Sequence, residues 1–269
     1  MANLRLSKST ALRVTTFYLL AWVVFGADSD FSYYGRSDAS GPRPDMWGER
    51  PEWRTCKDGK EQSPINIVTA NSTFVSDFYR LDTSYSPANG TFFIDSADIL
   101  EVELQGGGKF TIGDTEYFLQ QFHYHSPSEH TIDGVRFPLE MHLVHKSNSG
   151  DLAVIGVCFS LGEENQWLAP FWKKLPLLTS KDVVVNFTNI DVGDSKLHLG
   201  PAYARYGGSL TTPPCSEKVT WTVILGEVNT ISERQMWAYS KMLPHSNARP
   251  VQKLHGRKVK NGVGIFKRR

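Results

Sequence analysis

The sequence predicts a mainly β, single-domain protein with a few short helices, and three observations carry that expectation. Short runs of β-branched and aromatic residues recur from Phe74 onward. Gly, Pro, Asn and Asp separate them. Only two segments combine helical spacing with a start signal. No repeat, low-complexity tract or linker divides the chain, and all-β domains of this size are often single.

In chain order, residues 1–26 set Arg5, Lys8 and Arg13 ahead of an apolar run from Phe17 to Phe25 that ends in Gly26 and Ala27. That is the pattern of a secretory signal peptide, since the run is far short of the ~20 apolar residues of a membrane span. A buried N-terminal strand is the alternative. The domain is expected over 27–269, opening with an irregular arm (28–60) held by aromatic anchors such as Tyr33, Trp47 and Trp53. Strands are expected at 91–94, 99–104, 109–112, 117–125, 139–145, 152–159, 183–187 and 219–228. Helices are expected near 165–175 and over 232–241, the second capped by Ser232.

Without residues 1–26 the chain carries 26 Lys and Arg against 28 Asp and Glu. A near-neutral surface argues against nucleic acid or an anionic membrane as partner. No second long apolar run follows, and Lys267-Arg268-Arg269 is polar, so no membrane or lipid anchor is expected.

Five of the eight histidines fall within the 25 residues from Gln121 to His145, where an even spread would place fewer than one. Side chains alternate along a strand, so Gln121, His123 and His125 share one face, and Phe118, Phe122 and Tyr124 the other. Ser126-Pro127 and Asp133-Gly134 supply turns. Residues 139–145 alternate again, with Glu140, His142 and Val144 on one face and Met141, Leu143 and His145 on the other. If the two polar faces meet, three imidazoles converge. Three neutral nitrogens and one open position is the arrangement of a catalytic zinc site, whereas a structural site closes its fourth position. A His-x-His pair alone is more often hydrogen-bonded core. Here Gln121 and Glu140 share the histidines' faces, and metal-bound imidazoles usually donate their second N–H to such groups. His130 and His145 fall outside this phase and are expected to be structural.

Gln121-Phe122-His123-Tyr124-His125, Ser128-Glu129-His130-Thr131, Glu140-Met141-His142-Leu143-Val144-His145 and Ser209-Leu210-Thr211-Thr212-Pro213-Pro214 resemble, in order and spacing, the signature segments of alpha-class carbonic anhydrases. Gln62-Ser63-Pro64-Ile65-Asn66-Ile67 is similar to another, and Phe31-Ser32-Tyr33 with Trp47-Gly48 resembles plant members. The resemblance covers roughly residues 30–260. It implies a large, twisted, mostly antiparallel sheet with peripheral helices, Zn2+ as cofactor, and carbon dioxide and bicarbonate as small-molecule substrates. The implied reaction is reversible hydration: zinc on three neutral imidazoles lowers the pKa of bound water to about 7, and the resulting hydroxide attacks carbon dioxide.

Residue by residue, the resemblance implies that Thr211 accepts the nucleophile's hydrogen bond and that Glu129 keeps the Thr211 hydroxyl oriented. Thr212 would line the polar side of the pocket. Val144, Val154, Leu210 and Trp221 would form an apolar wall suited to a substrate without a dipole; each of them singly fits ordinary core packing equally well. Where fast members carry a histidine that passes protons to buffer, this chain has Asp98, and no histidine lies between Met1 and Gln121. An exposed aspartate with a pKa of about 3.9 is a poor carrier at neutral pH. Turnover limited by proton transfer, and rescue by imidazole-type buffers, are therefore expected.

Cys56 and Cys215 lie in loops, and Cys158 lies in the apolar run 152–161. In an oxidising compartment the loop cysteines are the natural pair, as in the secreted enzymes this chain resembles, leaving Cys158 a buried free thiol. Asn71, Asn89 and Asn186 head N-glycosylation sequons. Secretion is expected, with the vacuole or a plastid reached by the same route as alternatives. The alternative functions are a storage or binding protein derived from the family, and an esterase. Loss of a zinc histidine would mark the storage path, and all three are present.

Overall fold

A computed structural model describes residues 31–34, 41–74, 82–226 and 229–263; the signal peptide expected over 1–26 lies outside them. Nine strands matter most: β1 (Ala88–Ile94), β2 (Leu100–Leu104), β3 (Thr115–His125), β4 (Leu139–Ser147), β5 (Leu152–Leu161), β6 (Val185–Ile190), β7 (Ala202–Ser209), β8 (Glu217–Leu225) and β9 (Lys260–Val263). They belong to a 13-stranded sheet in the order β6-β1-β2-β3-β4-β5-β8-β7-β9. Pairing is antiparallel except where β5 runs parallel to β8, with shorter parallel additions at Asn229–Ile231 and Thr73–Phe74. Each of the eight expected strands has an observed counterpart.

The central strands are buried on both faces. Phe122, Tyr124, Met141, Leu143, Ile155 and Val157 fill the larger core on one side. Val144, Val154, Val223 and Trp221 join Ile65, Ile67 and Tyr206 on the other. The polar residues of the histidine segment are therefore buried in the sheet, where each needs a hydrogen-bond partner.

Besides a single α-helical turn at Thr55–Asp58 in the arm, two α-helices lie outside the sheet among the described residues, near the expected positions. The first, α1 (Ala169–Trp172), is shorter than the expected 165–175, because Pro176 follows and only a 3-10 turn (Leu175–Leu177) continues it. The second, α2 (Glu233–Met242), starts at Ser232 with a capping box: Ser232 Oγ accepts from Gln235 N, and Gln235 Oε1 accepts from Ser232 N. No helix among the described residues is long and apolar enough to cross a membrane.

The arm, expected to be irregular, instead forms 3-10 turns at Trp47–Glu49 and Pro51–Trp53, with Pro51 opening the second, and an α-helical turn at Thr55–Asp58. Aromatic contacts anchor it as expected. Phe31 packs edge-on against Tyr33, Trp47 and Trp53. A disulfide joins Cys56 to Cys215 across 159 residues of sequence, and Cys158 is a buried free thiol.

Candidate metal centre

Strands β3 and β4 pair antiparallel with His142 opposite His123 and Glu140 opposite His125. That register brings His123, His125 and His142 together, with one ring nitrogen of each within 4.8 Å of the others, all buried. Past Val144 the ladder slips by one residue at a bulge, which leaves the site's own register untouched.

Hydrogen bonds fix which nitrogen each ring presents. His123 Nδ1 lies 2.8 Å from Gln121 Oε1, and His125 Nδ1 lies 2.7 Å from the Asn247 carbonyl oxygen. Both rings donate there and turn Nε2 toward the cluster. His142 is reversed: its Nε2 lies 2.8 Å from Glu140 Oε1, so Nδ1 faces inward. Gln121 and Glu140 thus stand where sequence spacing put them. Asn247 was not foreseen, because a backbone carbonyl 122 residues away leaves no side-chain signal.

Electrostatics keep these imidazoles neutral. Burial pushes His125 down to about 4, and burial reinforced by the neighbouring rings pushes His123 well below its ordinary value. Burial lowers His142 too, against the pull of Glu140. Burial pushes Glu140 upward, yet His130 and His142 outweigh it and hold the carboxyl well below the usual range. Glu140 also accepts the backbone N–H groups of Glu129 and His130 at 2.8 Å each. His130 spans Glu140 and Tyr206 at 2.7 Å on either side, the structural role expected of it. His145 bonds Tyr85 and the Leu143 carbonyl, away from the cluster.

One atom tests whether a metal fits. His125 Nε2 is fully buried, carries a lone pair once Nδ1 donates, and has no hydrogen-bond partner. Leaving such an acceptor unpaired costs about 1–3 kcal/mol. A cation between the three rings removes that cost, and three neutral nitrogens are a donor set that suits zinc. Its nearest acidic neighbour is Glu129 Oε2 at 3.6 Å, likewise buried and unpartnered. Burial lifts Glu129 to about 7, while a cation in the cluster would draw it back toward the carboxylate.

The cluster opens onto a partly open cleft, with His123 and His142 in its lining. Val144, Val154, Leu210 and Trp221 line it together with Thr211, Thr212 and Gln121. Thr211 stands beside Glu129, whose charged form its hydroxyl favours, and Glu129 Oε1 accepts the Arg249 N–H at 2.8 Å.

The profile of the eukaryotic-type carbonic anhydrase matches residues 42–262 of this sequence. The chain belongs to that family. Carbonic anhydrases similar to it include alpha carbonic anhydrase 7 of Arabidopsis thaliana, 38% identical over 236 residues, which cover 84% of this chain and 82% of that one. Among solved structures, the alpha-carbonic anhydrase of Thermovibrio ammonificans with the inhibitor sulfanilamide superposes with a TM-score of 0.75 at 34% identity, covering 85% of this chain and 97% of that one. Dioscorin complexed with ascorbate gives 0.78 at 33% identity, covering 87% and 98%. The chain is a carbonic anhydrase in fold and family, and hydration of carbon dioxide is the general activity of that family.

One expectation about this carbonic anhydrase needs correction. Asp98 does not line the cleft; Asp95, Ile99 and Glu101 do. Asp98 adopts a left-handed backbone (φ 62°) in the loop between β1 and β2. Its carboxylate is bound by the Tyr34 hydroxyl at 2.6 Å and Lys181 Nζ at 2.9 Å. An aspartate paired to a lysine and a phenol is not a free rim group. Glu101, opposite His123 on β2, was also missed; its Oε2 accepts from Gln121 Nε2 at 3.1 Å.

Proposed function

We propose that this chain is a zinc enzyme that hydrates carbon dioxide reversibly to bicarbonate and a proton. The observation that carries the reading is the convergence of His123 Nε2, His125 Nε2 and His142 Nδ1, all neutral and buried, at a cleft with one apolar and one polar side. Zinc bound there would supply a water acidified to a pKa of about 7, a nucleophile available at neutral pH.

The chain's own residues do the rest. Gln121, Asn247 and Glu140 hold the three rings in the tautomers that keep lone pairs inward. Thr211 stands beside Glu129, and its hydroxyl, turned toward that carboxylate, would leave the oxygen's lone pairs to accept from the nucleophile and fix its direction of attack. Thr212 offers a second hydroxyl on the polar side. Val144, Val154, Leu210 and Trp221 give a dipole-free substrate a dry wall.

The protein is also proposed to pass through the secretory pathway. Supporting this are the Cys56–Cys215 disulfide and the exposed sequon residues Asn71, Asn89 and Asn186. A binding role is the second reading, favoured by the likeness to dioscorin, which holds ascorbate in its crystal structure.

The deciding experiment is stopped-flow carbon dioxide hydration with zinc content measured on the same sample, for wild type and His142→Ala. One zinc per chain with hydration that the substitution abolishes is expected. Full zinc occupancy without hydration would overturn the enzymatic reading and put the binding role first.

A further inference from the structure

We propose that Asp95 carries protons between the cleft and bulk solvent, the role that position in the sequence would give to Asp98; this rests on the hydration reading above. Geometry is its first support. Asp95 Oδ1 accepts the backbone N–H groups of Ala97 and Ile99 at 2.8 Å each, which locks the carboxyl orientation and leaves Oδ2 outside that turn. The residue lines the same cleft as His123, His142 and Thr211. Its hydrogen-bond partners are on its own loop, not on the imidazoles. Asp98, three residues on, is committed to Tyr34 and Lys181 instead.

A proton carrier works best when its pKa lies near the working pH. Burial pushes Asp95 up to about 6, outweighing the two backbone donors and the charge of Lys181, and the charge of Asp98 pushes the same way as burial. The other titratable groups facing it are Glu101 on β2, Tyr33 on the arm and Tyr239 on α2, none of which brings a positive charge. Glu101 is less suited to carry protons, because Gln121, the residue that holds His123, is bonded to its carboxyl.

The step needs no further reactant than buffer. An O–H bond of the nucleophilic water breaks and, through bridging water, one forms at Asp95 Oδ2. That bond then breaks to a base in solvent, which returns the carboxylate. No group changes oxidation state.

The test is 18O exchange between carbon dioxide and water for wild type, D95N and D98N, which separates interconversion at equilibrium from the proton-dependent release of labelled water. Asn keeps the Oδ1 acceptor of the loop. In D95N, water release is expected to slow about tenfold or more while interconversion falls less than about twofold, and imidazole restores release. An equal fall in both rates, or slowing in D98N but not in D95N, overturns the proposal. A second readout needs neither metal nor turnover: in metal-free protein 13C-labelled at aspartate side-chain carboxyls, the resonance lost in D95N titrates near pH 6. A midpoint at the ordinary aspartate value of about 4 overturns the proposal as well. Failure of the hydration reading looks different, as zinc-loaded wild type would then exchange no 18O at all.

Discussion

Nε2 of His142 lies 2.8 Å from Oε1 of Glu140, and this contact turns the ring end for end relative to His123 and His125. The cluster is therefore built from two Nε2 atoms and one Nδ1. His142 faces His123 directly across the ladder, and the reversal turns its Nδ1 toward the Nε2 atoms of the other two rings. Glu140 makes the reversal possible, and it is the residue through which the site is most open to test.

Glu140→Gln keeps the side chain's shape and removes the charge that His130 and His142 share. Metal affinity is expected to fall about 10–100-fold, measured by competition with a chromophoric chelator. Affinity within twofold of wild type would reduce Glu140 to a packing role.

Gly156 pairs with His142 from the β5 side, and a Cβ there would stand 2.9 Å from Glu140 Oε1. Glu140 cannot swing away easily, since four donors hold it: the N–H groups of Glu129 and His130, and the rings of His130 and His142. Gly156→Ala should weaken metal binding about tenfold or more while thermal unfolding stays cooperative. Unchanged affinity would mean the carboxylate is not locked.

Thr211→Val removes the hydroxyl beside Glu129 and keeps the volume. Hydration kcat/KM is expected to fall about 100-fold with zinc still at one per chain. Loss of zinc together with activity would show that Thr211 supports the metal rather than the nucleophile.

His145 sets a pH dependence separate from the metal. Burial pushes it down to about 3, so its folded value lies below the unfolded value of about 6.5. Its stabilising contribution is complete above that unfolded value and is lost as pH falls toward the folded one. Within that window it should contribute a slope of about 1.4 kcal/mol per pH unit. Urea unfolding of wild type and His145→Gln at about pH 6.5, 5.5 and 4.5 measures the difference. Parallel pH profiles would rule out a neutral, proton-excluding His145.

Much of the fold and site was legible because strand periodicity is strict. The alternation of Gln121, His123 and His125, and of Glu140 and His142, put five polar residues on one surface, and the register holds them there. Strand β7 was not foreseen: Gly207 and Gly208 break its β-propensity, yet a Cβ at Gly208 would meet Ser63 Oγ and the Trp221 ring. The parallel pairing of β5 with β8 is a long-range choice that no local pattern encodes. Asp98 was misjudged for a similar reason. Resemblance fixed its place in the chain, but the left-handed turn at that residue and the arrival of Tyr34 and Lys181 decide where its carboxylate goes.

The partner of His125 and the partner of Glu129 come from Asn247 and Arg249, within the last 23 residues of the chain. During vectorial synthesis, strands β3 to β5 can assemble long before those residues emerge, so all three imidazoles exist together with one tautomer still unassigned. The ring orientation at His125 is completed only near the end of translation. A chain ending before Asn247 would lack the acceptor that orients His125, the donor to Glu129 and the strand that pairs with β7, which makes the C-terminal segment the last step of maturation.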